Sequence, residues 1–283
     1  MHRLDSPVLA SGMSPRLVLL HGLEGSVQSS YLQGTLALAH RRGWAVDVIV
    51  FRGCGGAANR QKRLYHSGET SDLEFVVDRL VGEDRHRPIV LAGFSLGGNV
   101  LLKWLGEKGT LLPAQVCAAA AVSVPFDLER GARHIERGLS RVYTGLFLRT
   151  LKQKARAKLE RFPGAFDVDA LERAHTLHDF DNAVTAPLHG FADARDYYRR
   201  SSSLQFLAAI RVPTLLLSAR DDPFLPSDVL HRVLDEAGGN ALVEAEVWSR
   251  GGHVGFVSGQ TPLDTHYYAE ERVVEFLGAV LAT

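Results

Sequence analysis

The chain has 283 residues, of which 46% are hydrophobic and 23% are charged, an ordinary balance for a soluble globular protein. Its 32 basic residues equal its 32 acidic residues, so no net charge favours nucleic acid as a partner. The only cysteines, Cys54 and Cys117, lie far apart in sequence, which excludes a disulfide framework and a thiolate cluster with metal-ligand spacing.

The first 14 residues contain no long apolar stretch and do not resemble a signal peptide. The longest apolar stretch, around residues 116–124, is far shorter than the roughly 18 residues that suggest a membrane span. These features, together with the low cysteine count, predict a cytoplasmic protein with reduced thiols.

Short apolar strands alternate with helices through the first half of the chain. The predicted strands are 17–20, 46–51, 89–94 and 116–124, and the predicted helices are 31–42, 71–81 and 96–105. Ser71 and Glu74 have the spacing of a capping box at the start of the second helix. Strands that are apolar throughout predict a parallel sheet covered by helices on both faces, which is an α/β fold.

The pattern changes after residue 128, where helical spacing occurs among many basic residues. Between Glu129 and Arg161 there are ten Lys or Arg against three Glu. Strand patterns return at 214–218 and 242–248, with helices after Ser227 and over 267–281. We therefore predict a core domain of residues 1–128 and 211–283 and a helical cap of residues 129–210.

Two interpretations of the basic cap remain open. Its charges form either a solvated face above an apolar stripe or a surface for peripheral contact with an anionic membrane. In both cases the apolar side is expected to roof the substrate site.

The pentapeptide Gly93-Phe94-Ser95-Leu96-Gly97 follows an apolar strand and opens a helix. That context is typical of a nucleophile elbow, a sharp turn that presents a serine hydroxyl above the sheet. Ser95 is therefore the predicted nucleophile. The Leu96 N–H, at the start of the helix, is a predicted oxyanion donor.

A serine hydroxyl needs a neighbouring base, and in this fold the base comes late in the chain. His253, flanked by glycines after the last predicted strand, fits that position. The acid that orients the base is expected after the preceding strand, where Asp221 and Asp222 are adjacent. The Asp-Pro spacing that is usual in hydrolases favours Asp222, and Asp221 remains the alternative.

The loop after the first predicted strand, His21 to Gly25, is expected to supply the second oxyanion donor through the Leu23 N–H. His21 is predicted to be a positioning residue rather than a second base. His21, Gly22, Phe94 and Arg52 are the candidate substrate-binding residues. The glycine-rich segment that contains Arg52 either shapes the site or forms a plain turn.

Motifs with distinctive letters run from residue 21 to His253. They are HGLEG (21–25), FRGCGG (51–56), YHSGET (65–70), GFSLGGN (93–99), FD (180–181), VTAPLHGF (184–191) and DDPF (221–224). With these motifs the chain resembles the YheT-like bacterial hydrolases, relatives of the eukaryotic ABHD-type esterases and lipases. The resemblance implies an α/β-hydrolase fold, carboxylic-ester hydrolysis, sometimes acyl transfer to alcohols, and a triad of Ser95, Asp222 and His253.

One feature departs from the family. Similar proteins carry a pair of strands before the HGLEG strand, and residues 1–14 are too short for a full pair. We therefore ask whether the sheet retains its antiparallel edge.

The expected reaction is ester hydrolysis through an acyl-enzyme, without a metal or an organic cofactor. The expected partner is a small-molecule ester with an apolar acyl chain. One alternative is an alcohol acyltransferase that uses the same triad. Another is a non-catalytic ligand-binding protein of this fold, although such proteins generally lose a triad residue.

Overall fold

The computed structural model describes residues 2–4, 14–56, 59–259 and 264–283. Its main feature is a seven-stranded sheet in the order β1-β3-β2-β4-β5-β6-β7. All neighbouring strands are parallel except β1, which is antiparallel to β3. The strands are β1 (His2–Leu4), β2 (Arg16–Leu20), β3 (Ala45–Ile49), β4 (Ile89–Phe94), β5 (Val116–Val122), β6 (Thr214–Ala219) and β7 (Val243–Trp248).

Strand β1 answers the question that the short N-terminal segment raised. Residues 2–4 pair with 46–48 of β3, so the sheet has an antiparallel edge strand. The segment between β1 and β2 lies largely outside the described residues.

Helices cover both faces of the sheet, as the apolar strands predicted. On one face, α1 and α11 pack over an apolar cluster that includes Leu36 and Leu277. On the other face, α2, α3 and α10 pack over a second cluster, which includes Val77, Leu101 and Val229. These helices are α1 (Ser30–Arg41), α2 (Ser71–Glu83), α3 (Leu96–Lys108), α10 (Ser227–Gly238) and α11 (Tyr268–Leu281).

The remaining six helices lie between β5 and β6, in the segment predicted to be a helical insertion. They are α4 (Leu128–Ile135), α5 (Arg141–Arg161), α6 (Val168–Arg173), α7 (Leu177–Phe180), α8 (Ala186–His189) and α9 (Ala194–Ser201), with a π-helical turn at Asp181–Thr185 between α7 and α8. Leu148, Leu171, Phe180 and Val184 belong to an apolar cluster of these helices, separate from the two clusters on the sheet. A small hairpin of β8 (Val257–Ser258) and β9 (His266–Tyr267) precedes α11.

Three local predictions need correction. The strand predicted over 46–51 ends at Ile49, although Val50 and Phe51 continue the apolar run. The strand predicted over 116–124 ends at Val122, because Ser123 has a φ of 51°, which a strand residue does not adopt. The capping box of Ser71 and Glu74 is absent, since Thr70 precedes the helix without a side-chain cap. Instead, the Ser71 N–H donates to the Glu69 carboxylate at 3.0 Å. Across the described residues, no helix has both the length and the apolar character that crossing a membrane requires.

The turn from β4 to α3 depends on glycines that let backbones touch. A Cβ atom on Gly97 would lie 2.5 Å from the His21 carbonyl oxygen and 2.6 Å from that of Leu20. A Cβ atom on Gly93 would lie 2.6 Å from the Gly97 carbonyl oxygen. These distances are shorter than real contacts permit. Helix α3 can therefore approach β2 and β4 this closely only because positions 93 and 97 carry no side chain.

We expect Gly97→Ala to lower the free energy of unfolding by about 1–3 kcal/mol, because the added methyl group meets backbone rather than a flexible side chain. Gly82→Ala is the matched control, since Gly82 is exposed on α2 and an added Cβ would meet nothing within 4 Å. Urea unfolding measures both variants. Equal stability of the two variants would contradict the steric explanation.

Candidate active site

Ser95 lies at the turn between β4 and α3 in a backbone conformation that side chains other than glycine rarely adopt. Its φ is +52° and its ψ is −120°. The strain is held by hydrogen bonds on both sides: the Ser95 N–H donates to the Val122 carbonyl at 2.8 Å, and the Asn99 N–H donates to the Ser95 carbonyl at 3.1 Å. The Leu96 N–H, in the first turn of α3, has no hydrogen-bond partner among the described residues. The turn therefore presents a hydroxyl and a free donor side by side.

His253 and Asp222 meet Ser95 in one hydrogen-bonded line. His253 Nε2 lies 2.9 Å from Ser95 Oγ, and His253 Nδ1 lies 2.9 Å from Asp222 Oδ2. The Asp222 carboxylate is fully buried, and its Oδ1 accepts from the Phe224 N–H at 2.9 Å. The Phe224 ring lies 4.2 Å from the imidazole, centroid to centroid. This arrangement can take a proton from the hydroxyl and hold the imidazole in one tautomer.

Asp221, the alternative acid, has a different position. Its Oδ1 accepts from the N–H groups of Gly251 and Gly252, each at 2.8 Å. Asp221 therefore braces the loop that carries the histidine, while the adjacent Asp222 contacts the ring. Of the two aspartates that the sequence offered, only Asp222 therefore contacts the imidazole.

The histidine loop contains strained residues that sequence reasoning missed. Val254 and Phe256 have positive φ values of 53° and 43°. The Val254 N–H donates to Ser123 Oγ at 3.0 Å, and Ser123, just after β5, itself has a φ of 51°. Ser123 thus links the end of β5 to the histidine loop. The only sequence signal for it is its place at the carboxyl end of a buried strand.

The loop after β2 leaves one amide unused. The Gly22 N–H donates to the Tyr31 hydroxyl at 2.9 Å, and the Glu24 N–H donates to the Tyr65 hydroxyl at 3.0 Å. Between them, the Leu23 N–H has no hydrogen-bond partner in the described part of the chain, and Leu23 lines the cavity next to Ser95. This is the position of the predicted second oxyanion donor.

Glu24 ties this loop to helix α5. It has a positive φ of 57°, and its carboxylate accepts from the Tyr65 hydroxyl at 2.6 Å and from Lys154 Nζ at 2.8 Å. Lys154 also lies 3.3 Å from Cys54 Sγ, and burial raises the pKa of that thiol, which keeps it protonated. One lysine of the insertion therefore fixes the loop after β2, which carries the predicted oxyanion donor, and no sequence motif indicated this contact.

The candidate substrate-binding residues of the sequence analysis lie behind the site. His21 is fully buried: its Nε2 accepts from the Phe51 N–H at 3.0 Å, and its Nδ1 lies 2.7 Å from the Gly22 carbonyl oxygen. Burial lowers the pKa of this imidazole, which keeps it neutral. These contacts agree with a positioning role. Gly22 approaches Ser95 closely, since a Cβ atom on it would lie 3.2 Å from Ser95 Cβ.

Phe94 and Arg52 are also outside the cavity wall. The Phe94 ring is buried against Tyr31, with 4.7 Å between centroids. The Arg52 guanidinium pairs with Asp72 of α2. In the structure, therefore, both residues support the fold and neither reaches the space next to Ser95.

A cavity of about 150 Å³ opens beside Ser95, between the carboxyl edge of the sheet and the insertion helices. Most of its wall is apolar, and the apolar residues are Leu23, Leu96, Pro125, Leu128, Ala132, Ile135, Phe147, Leu151, Leu177, Phe180 and Phe224. A smaller polar part of the wall comes from Tyr65, His66, Ser67, Asp181, Thr185, Tyr197 and Tyr198.

Within the described residues, one cluster has ligand types that could hold a metal ion. Single atoms of His66, Glu69 and His189 all lie within 4.8 Å of one another. However, His66 Nδ1 accepts from the Gly68 N–H at 3.1 Å, so a neutral His66 ring carries its proton on Nε2. Glu69 is already beside Arg63 at 3.5 Å. The cluster therefore fits a hydrogen-bonded charge network better than a metal site.

The fold and the serine at its strained turn define the class of protein. The chain belongs to the α/β-hydrolase family, whose sequence model, described as alpha/beta hydrolase fold, matches residues 15–260. This family, together with the esterase and lipase relatives described next, identifies the chain as a hydrolase.

Among curated relatives, the chain is 42% identical over 269 residues to YheT of Escherichia coli (strain K12), a protein named for an inferred esterase activity. That match covers 94% of this chain and 77% of YheT. The chain is 31% identical to the phospholipase ABHD3 of Mus musculus and 31% identical to a monoacylglycerol lipase of Saccharomyces cerevisiae. It covers 61% and 60% of the length of these two relatives.

Solved structures of low identity share the fold. An esterase of Pyrococcus furiosus aligns with a TM-score of 0.62 at 17% identity, covering 99% of this chain and 84% of that chain. Est1E of Butyrivibrio proteoclasticus aligns with a TM-score of 0.61 at 15% identity, and the alignment covers 99% of this chain and 94% of the Est1E chain. The α/β-hydrolase fold predicted from the sequence is confirmed.

We expect Asp222→Asn to lower kcat by about 10⁴-fold, because an amide in this position favours the wrong imidazole tautomer. Asp221→Asn is the matched control: its amide oxygen can still accept from the histidine loop, so kcat should fall only a few-fold. Steady-state kinetics on one ester measures both variants. A comparable loss in the two variants would overturn the assignment of Asp222.

We expect Lys154→Met to lower kcat by about 10-fold with little change in KM, because a displaced oxyanion donor weakens the transition state more than the bound substrate. Lys152→Met on the same helix is the control, since the Lys152 ammonium donates only to the Glu172 carbonyl at 2.9 Å. Steady-state kinetics separates kcat from KM. An effect of Lys154→Met on KM alone would show that the contact between Lys154 and Glu24 does not act through the Leu23 N–H.

Proposed function

We propose that the chain hydrolyses carboxylic esters through an acyl-enzyme formed on Ser95. The observation that carries the proposal is the hydrogen-bonded line from Ser95 Oγ to His253 and Asp222, with 2.9 Å at each step, at the wall of a largely apolar cavity. The relatives named as lipase and phospholipase support ester chemistry for this chain.

In the proposed mechanism, Ser95 Oγ attacks the ester carbonyl while His253 Nε2 takes the hydroxyl proton. Asp222, buried and fixed by the Phe224 N–H, stabilises the imidazolium. The unused N–H groups of Leu23 and Leu96 are the proposed donors to the oxyanion. His253 then protonates the leaving alcohol and activates water for deacylation. Each step uses only groups of the chain and the two substrates.

The apolar wall supports a substrate with an apolar acyl chain, because burying each methylene group contributes about 0.8 kcal/mol. The insertion provides much of that wall through helices α4, α5 and α7. We therefore propose that residues 1–128 and 211–283 form a core domain and that residues 129–210 form a cap. The cap then sets the length and shape of the acyl chain that the site accepts.

The location of the protein and its contact with membranes are further proposals. Cys54 and Cys117 are free thiols, which supports a reduced, cytoplasmic setting. At the start of α5, Val142 and Leu146 are exposed next to Arg141, a combination that supports peripheral contact with an anionic membrane surface.

Deacylation can use water or an alcohol, and the same triad serves both reactions. Product analysis with added ethanol distinguishes them: free acid as the main product supports hydrolysis, and ethyl ester as the main product supports the acyltransferase.

We expect Ser95→Ala to lower kcat on p-nitrophenyl esters by about 10⁶-fold, the loss seen when a triad loses its nucleophile. Wild type should be labelled by a fluorophosphonate probe, and Ser95→Ala should not be. Ser227→Ala, at the exposed start of α10, is the matched control and should keep both activity and labelling. Esters of graded acyl length define the depth of the cavity. Activity retained by Ser95→Ala would refute the proposed nucleophile.

A further inference from the structure

Asp181 is an acid in the wall of the cavity. It begins the π-helical turn Asp181–Thr185, a rare geometry that is frequent at functional sites. The residue is half-buried, and it lines the same cavity as Ser95. Among the cavity-lining residues of the described chain there is no lysine or arginine, so no protein cation on that wall balances the carboxylate.

The carboxylate is only partly used by the protein. Its Oδ1 accepts from the Thr185 hydroxyl at 2.6 Å, and its Oδ2 accepts from the Tyr198 hydroxyl at 2.7 Å. An ionised carboxylate has about four acceptor sites, so further donors can be bound. Burial raises the pKa of Asp181 to about 6, because desolvation outweighs the hydrogen bonds from Thr185 and Tyr198.

Polar groups next to Asp181 extend this part of the wall. Tyr197, adjacent to Tyr198 on α9, accepts from the Ser67 N–H at 3.0 Å. Both Tyr197 and Ser67 line the cavity. Together with Thr185 and Tyr198, which donate to Asp181, they form a polar part of a largely apolar wall.

We propose that Asp181 binds a hydrogen-bond donor on the substrate, a hydroxyl or an ammonium group, and so selects polar esters over plain alkyl esters. The inference rests on the proposed ester hydrolysis at Ser95 and names the substrate class of that site. A plain alkyl group placed there would leave the carboxylate desolvated without a new partner, which is costly.

A purely structural role makes a different prediction. If Asp181 only holds Tyr198 and Thr185 in place, losing one of those hydroxyls should have the same effect as changing the acid. If Asp181 binds substrate, changing Asp181 should alter the preference for donor-bearing esters, whereas Tyr198→Phe should not. Tyr198→Phe keeps the carboxylate and removes only the internal hydrogen bond.

The test compares matched esters of the same length. One series varies the alcohol of hexanoate esters in two matched pairs, propanol with ethylene glycol and 3-methylbutanol with protonated 2-(dimethylamino)ethanol. A second has p-nitrophenyl heptanoate and 6-hydroxyhexanoate, which varies the acyl chain. We expect wild-type kcat/KM to be about 10-fold or more higher for a donor-bearing ester than for its plain counterpart in at least one series, as a hydrogen bond to a charged group permits.

In Asp181→Asn this preference should fall by about 10-fold, whereas Tyr198→Phe should retain it. The favoured ester shows whether the donor is a hydroxyl or an ammonium group. Three results would overturn the inference: no wild-type preference in either series, an equal loss on all esters in Asp181→Asn, or the same loss of preference in Tyr198→Phe. Since the wild-type comparison needs no variant, poor folding of Asp181→Asn leaves the test valid.

The failure of the inference can be told apart from failure of the proposed function. Wild type that hydrolyses all the esters equally would reject the role of Asp181 and keep Ser95 as nucleophile. Wild type that hydrolyses none of them, and is not labelled by fluorophosphonate, would reject both.

Discussion

The hydrogen bond between Ser95 Oγ and His253 Nε2 is the contact on which the proposed chemistry depends. It joins groups 158 residues apart in the chain, so it forms only if the sheet is assembled in the right strand order. Ser95 follows β4, Asp222 follows β6 and His253 follows β7, and the parallel strands bring all three to one edge. The strained turns at Ser95, Ser123 and Val254 then set the final distances, and their cost is met by the packing of the sheet.

The fold and the three residues of the proposed triad could be predicted from sequence patterns. Apolar strands that alternate with helices predict a covered parallel sheet, and the glycines around Ser95 mark the turn because a Cβ atom on Gly97 would collide with the backbone of β2. Asp222 could be preferred over Asp221 only through a family spacing. Adjacent residues on a loop point in different directions, and only coordinates show which carboxylate meets the imidazole.

The contacts that shape the site could not be predicted, because they join distant segments without a periodic pattern. Lys154 reaches Glu24 across 130 residues, and Ser123 meets the loop after β7 through a single hydroxyl. Phe94 and Arg52 lie outside the wall of the described cavity, since closeness in sequence to a motif does not decide which side of the backbone a side chain occupies. Strand ends were also extended too far, because Val50 and Phe51 are as apolar as β3 and because Val124 continues the apolar pattern of β5 beyond Ser123.

The insertion leaves the sheet after β5 and returns at β6, between the strand that precedes Ser123 and the strand that precedes Asp222. Its endpoints are fixed by the sheet, whereas the path between them is not. A change in the length or path of that excursion would leave the strands that carry Ser95, Asp222 and His253 in place. A segment that packs around its own apolar cluster can therefore vary while the sheet keeps its register.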